Sequence, residues 1–109
     1  MLDLKSCVPC RGGIQPLDKK EAEAMLAQVP DWKLLDDATK IQRNYTFSNF
    51  MDALTFTNKV AELSEAQNHH PDITLGWGYC VVGYYSRKIN GLHENDFVMA
   101  AKVSKLYRS

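Results

Sequence analysis

The hydrophobic pattern along the chain changes period several times, and each change marks an element. In "DKKEAEAMLAQVP", Ala22, Met25, Leu26 and Val29 recur at helical spacing. Asp18 predicts the N-cap, Glu21 three residues later completes a capping box, and Pro30 closes the helix. "WKLLDDATKIQRNYTF" alternates instead. Ile41, Arg43, Tyr45 and Phe47 share one parity and Lys40, Gln42 and Asn44 the other, which predicts two strands joined at Asp36 and Asp37, with Arg43 breaking the apolar row. "SNFMDALTFTNKVAELSEAQNHH" returns to helical period. Phe50, Met51, Leu54, Thr57, Val60, Ala61 and Ser64 form the expected buried face, Ser48 the expected cap. The helix stops before Pro71, because proline biases the preceding residue toward extended geometry. "DITLGWGYCVVGYYSR" alternates again, with Cys80, Val82 and Tyr84 on one face and Trp77, Tyr79, Val81 and Tyr85 on the other. Both faces are apolar, so one is a candidate surface for a partner subunit. Gly91 turns the chain into a last helix, where Phe97, Ala100, Ala101, Val103 and Leu106 are the expected buried positions.

The order helix, two strands, helix, two strands, helix implies an α+β domain, an antiparallel sheet covered by helices on one face. The domain is expected over residues 18–109. Residues 1–17, punctuated by Pro9, Gly12, Gly13 and Pro16, read as an irregular N-terminal arm. A length of 109 residues suits one domain able to bury a core without staples. Thirteen basic and thirteen acidic side chains cancel, so no strong field draws nucleic acid or an anionic membrane. No apolar run approaches the roughly 20 residues of a membrane helix. The first residues lack the apolar core of a signal peptide, and three cysteines make no disulfide framework. The expected setting is cytosolic and reducing.

Candidate chemistry is sparse. Cys7 and Cys10 form a C-x-x-C, half a zinc site or a redox dithiol, but only Cys80 within a strand remains to join them; a turn in the arm is the simpler expectation. Trp77 and its neighbouring tyrosines suit either a stacked planar ligand or an interface. Asp96 in the first turn of the last helix favours the positive helix end, beside His93, a poor N-cap. "EAQNHHPDI" holds two of the three histidines. As a metal site the pair is badly arranged, since adjacent helical residues diverge by about 100°. A polar helix end accounts for it without function. As chemistry, His69 near a helix C-terminus and His70 displaced by Pro71 put an acid and a base in one place.

"EAQNHHPDITLGW" resembles the signature of the pterin-4a-carbinolamine dehydratases: a polar residue, then His-His-Pro, then an aromatic, here Glu65, His69, His70, Pro71 and Trp77. "GLHENDF", with Asp96, is similar to the family's Gly-Leu turn and helix start, and "CVPCRGGIQPL" and "VPDWKL" are similar to bacterial members. The resemblance implies a four-stranded antiparallel sheet with three helices packed on one face, and a homodimer or a tetramer of dimers. It implies dehydration of 4a-hydroxytetrahydropterin, the product of aromatic amino acid hydroxylases, to quinonoid dihydropterin, with no metal or organic cofactor. His70 would then be the leading acid/base group, His69 would hold and polarise the pterin, and Glu65 would support them. Pro71, Trp77, Arg87 and Asp96 would line the substrate site. The family pattern places a third His, or sometimes Trp, ten residues after the aromatic and four before the Gly. Here both counts reach Arg87, which stays protonated and cannot act as a base. That departure keeps two alternatives open. One is a weakened member acting as a dimerisation or assembly partner, as some do for a homeodomain transcription factor in animals. The other is an enzyme of another pterin, such as one linked to molybdopterin.

Overall fold

The computed structural model describes residues 2–9 and 12–108. Cys10, and with it the C-x-x-C pairing, lies outside the described residues. The elements are α1 (Lys19–Leu26), β1 (Lys33–Leu35), β2 (Lys40–Thr46), α2 (Phe50–Gln67), β3 (Asp72–Gly76), β4 (Tyr79–Tyr84) and α3 (Glu94–Arg108), with short 3-10 turns at Leu2–Leu4 and Arg87–Ile89. The strands form one antiparallel sheet in the order β1-β2-β4-β3. The expected α+β fold is therefore present, with four strands and three helices. Alternation sets which face is covered. Ile41, Tyr45, Cys80, Val82 and Tyr84 are buried toward the helices, while Lys40, Gln42, Asn44 and Thr46 take the other side. Arg43 stays on the inner side by laying its guanidinium over the Tyr45 ring, 4.3 Å from the centroid, and donating to Ser104.

The α1 capping box forms as expected, with Asp18 and Glu21 exchanging hydrogen bonds. The turn after β1 takes left-handed backbone at Asp36, Asp37 and Ala38. In α2 the expected face is displaced. Ala53, Phe56, Val60 and Ser64 are buried, whereas Phe50 and Met51 are exposed. The helix carries apolar residues on more than one side, and Phe56 decides the rotation by joining Tyr45, Phe47 and Tyr107 in an aromatic cluster. Its cap also shifts by one residue, to Asn49, whose Oδ1 accepts from the Asp52 N–H at 2.8 Å. Asn49→Ala should therefore destabilise the protein by about 1 kcal/mol and Ser48→Ala far less, as measured by urea unfolding; the reverse order would return the cap to Ser48.

α3 is enclosed from Asn95 to Ala100. The N-terminal segment packs on it: Leu2 joins the core, and Lys102 Nζ donates to the Asp3 carbonyl at 2.9 Å.

Candidate active site

The end of α2 delivers the paired histidines. Asn68 adopts left-handed backbone, φ 53°, and its N–H caps the helix. The His69 N–H then reaches back to the Ser64 carbonyl at 3.1 Å, a reverse turn that asparagine tolerates better than most residues. His69 and His70 thus lie past the helix and lead through Pro71 into β3. The 100° divergence of helical neighbours no longer applies to them. From the other side, β4 leads to a loop closed by hydrogen bonds between Ser86 and Gly91. Gly91 has no room for a side chain, since a Cβ there would stand 2.6 Å from Pro16 Cβ. That close approach seats the loop and the start of α3 against the histidines.

Asp96 is fully buried, and both its oxygens are used. Oδ1 takes the His69 Nε2 contact at 2.6 Å, while Oδ2 accepts from Ser86 Oγ and from the His93 N–H, each at 2.9 Å. As a carboxylate Asp96 only accepts, so Nε2 carries the hydrogen and Nδ1 is the remaining lone pair of a neutral His69 ring. The ring is only 10% exposed and stacks on Tyr84 at 5.8 Å with planes 10° apart. Tyr84 is itself buried, which pushes its phenol upward, and it pairs with Ser64 at 2.8 Å. The His69 ring is therefore held at one edge by Asp96 and on one face by Tyr84. His93 caps α3 after all: its Nδ1 accepts from the Asn95 N–H at 3.1 Å.

His70 has a carboxylate of its own. Its Nε2 pairs with Glu65 on the last turn of α2, and the ring is 47% exposed. Its backbone is gripped by Arg87, whose Nη1 donates to the His70 carbonyl at 3.2 Å and whose Nη2 donates to Asp72 Oδ1 at 2.7 Å. The guanidinium also lies 4.9 Å from the Tyr85 ring centroid. Two His–carboxylate pairs thus stand in adjacent residues, one buried and one open. They border a cleft of about 410 Å³, lined also by Cys7, Val8, Pro9, Gln67, Tyr85 and Arg87. That volume is in the range of small-molecule sites. Among the described residues no three His, Cys, Asp or Glu side chains gather as metal ligands. Burial pushes the Cys7 thiol up to about 11, so it is a neutral thiol near pH 7.

A family model described as pterin 4 alpha carbinolamine dehydratase matches residues 15–106. The chain belongs to the pterin 4 alpha carbinolamine dehydratase family. A relative from Methylococcus capsulatus, named "Putative pterin-4-alpha-carbinolamine dehydratase", is 60% identical over 105 residues, 96% of this chain and 92% of that protein. Among solved structures, a transcriptional coactivator/pterin dehydratase from Brucella melitensis superposes with a TM-score of 0.78 at 26% identity, covering 84% of this chain and 98% of that one. A pterin dehydratase-like protein identified as a RuBisCO assembly factor in the alpha-carboxysome shares the fold, with a TM-score of 0.61 at 22% identity, over 71% of this chain and 92% of that one.

Within this dehydratase fold, Glu65, His69, His70, Arg87 and Asp96 come together, and two expected site residues stand apart. Trp77 occupies the β3–β4 turn and is 70% exposed. The five residues of β3 separate it from the histidines, about 16 Å of extended chain. Pro71 sets the exit into β3 and does not line the cleft. Asp96, expected among the substrate contacts, is fully enclosed and pairs with His69. Sequence reasoning passed over Ser86, Gln67 and Asn95; nothing in their spacing links them to the pair.

Proposed function

We propose that this protein dehydrates a 4a-hydroxytetrahydropterin to the quinonoid dihydropterin, the recycling step that follows aromatic amino acid hydroxylation, in the cytoplasm and as a homodimer or tetramer. The observation that carries the reading is the adjacent pair of His–carboxylate couples at one cleft. The reaction removes the hydrogen from the ring nitrogen next to C4a and expels the C4a hydroxyl as water, leaving a C=N bond. It needs a base and an acid a few ångströms apart. His70, open to the cleft and backed by Glu65, takes the proton from the ring nitrogen and delivers it to the departing hydroxyl, which leaves as water. His69, fixed by Asp96 with one free nitrogen, holds and polarises the substrate. The order of roles follows exposure: the accessible ring moves protons, and the enclosed ring orients. Exposed Phe50 and Met51 on α2 give the oligomer an apolar surface.

Arg87 takes no proton in this scheme. Its guanidinium holds the His70 carbonyl and leaves donors for a pterin oxygen or nitrogen. The test is a stopped-flow measurement of dehydration against the spontaneous rate. Acceleration well above background supports the reading, and Arg87→His should raise kcat further by supplying a group that titrates near pH 7. No acceleration together with no pterin binding would overturn it in favour of an assembly role, for which Arg87 is the one departure from the family pattern. Acceleration that falls on Arg87→His would mean that the grip on His70 outweighs a third imidazole.

A further inference from the structure

One side of the cleft comes from the N-terminal segment. Cys7, Val8 and Pro9 line it with His69 and His70, yet the family match begins only at residue 15. Their main chain is pinned by side chains from the site's own elements. The Cys7 N–H donates to Gln67 Oε1 at 2.9 Å, from the last residue of α2. The Val8 N–H donates to Asn95 Oδ1 at 3.0 Å, and Asn95 Nδ2 donates to the Val8 carbonyl at 2.7 Å.

Asn95 is 3% exposed and sits beside Asp96 on the first turn of α3. One turn of helix therefore fixes His69 through Asp96 and Val8 through Asn95, which sets the distance between the strap and the histidines. A primary amide that pairs both polar groups of one residue imitates a neighbouring strand. It grips the backbone and leaves the side chain free. That side chain is an apolar valine, 56% exposed at the cleft. An isolated exposed valine is ordinary. A valine on a backbone held by a buried amide, at the border of the cleft, is placed to meet a ligand.

We infer that Val8 is an apolar binding contact for the bound pterin, held against the ligand's apolar surface by the strap that Asn95 and Gln67 pin. The inference rests on the dehydratase reading of the same cleft. Val8 makes van der Waals contact and takes no part in proton transfer, so it acts on binding of the ground state and transition state alike.

The test is titration with 7,8-dihydrobiopterin, which lacks the 4a-hydroxyl and cannot be dehydrated, followed by isothermal calorimetry. Wild type is compared with Val8→Asp and with Leu4→Asp, a still more exposed apolar residue of the same segment that does not line the cleft. Val8→Asp should weaken binding by about tenfold or more, and should raise KM while kcat changes less than about threefold. Leu4→Asp should leave Kd within about twofold. Both variants replace exposed side chains, and urea unfolding should match wild type. Equal Kd values for wild type and Val8→Asp would overturn the inference and leave the dehydratase reading standing, as would a Leu4→Asp effect as large as that of Val8→Asp. Failure of wild type to bind the pterin would remove both.

Discussion

Asp96→Asn is expected to lower kcat by about 10²–10⁴-fold in a protein that still folds. The substitution keeps the shape of the side chain but halves its accepting ends. Two donors, Ser86 Oγ and the His93 N–H, converge on Oδ2, so the amide oxygen settles there. The amide NH₂ then faces His69 Nε2, where the carboxylate Oδ1 stood. Nε2 must now accept, and the ring hydrogen moves to Nδ1. The nitrogen that was a lone pair toward the substrate becomes an N–H, and the orientation of the ring is kept while its chemistry is inverted. The fold loses charge-assisted hydrogen bonds at a buried site, a cost of about 1–3 kcal/mol. Asp96→Ala would cost more, because three groups would lose their acceptor inside the protein. The measurements are stopped-flow kcat, urea unfolding and the nitrogen chemical shifts of His69, which report the tautomer. A shifted tautomer with an unchanged kcat would remove His69 from the reaction.

The same residue marks the limit of what the sequence made legible. The order of elements and the sheet were readable, because strands and helices here differ clearly in period and the α1 cap is strong. The face of α2 was not, since Phe50 and Met51 are as apolar as the residues that replaced them in the core. Only the aromatic cluster around Phe56, made of residues distant in sequence, decides between the two faces. The His-His-Pro run identified the site, but the meaning of its neighbours depended on contacts across the chain. Asp96 is 27 residues from His69, and Asn95 is 87 from Val8. Helix-start logic explained Asp96 as a partner of the helix end, which it is through the His93 N–H. It gave no reason to expect the histidine on the other oxygen. Trp77 stands apart for the opposite reason: its motif spacing was clear, but an extended strand carries it away from the pair.

His70→Ala should reduce kcat/KM by about 10²–10⁴-fold with almost no change in stability. The contrast with its neighbour gives that prediction its force. His70 is 47% exposed and its partner Glu65 77% exposed, so removing the ring leaves a carboxylate that water solvates at once. A surface change of this kind stays within about 0.5 kcal/mol. The Arg87 bond survives as well, because it is made to the His70 carbonyl and not to the ring. His69→Ala behaves differently: it strips the donor from Asp96 Oδ1 at a fully buried position, leaving only Oδ2 satisfied by Ser86 and the His93 N–H, and a buried acceptor left unmade costs about 1–3 kcal/mol. Activity lost in His69→Ala is thus mixed with lost structure, whereas activity lost in His70→Ala is lost chemistry. Rate and urea midpoint measured on both variants separate the two. If His70→Ala turned over at the wild-type rate while Asp96→Asn did not, proton transfer would belong to His69, and the open ring beside Glu65 would serve only to shape the rim of the cleft.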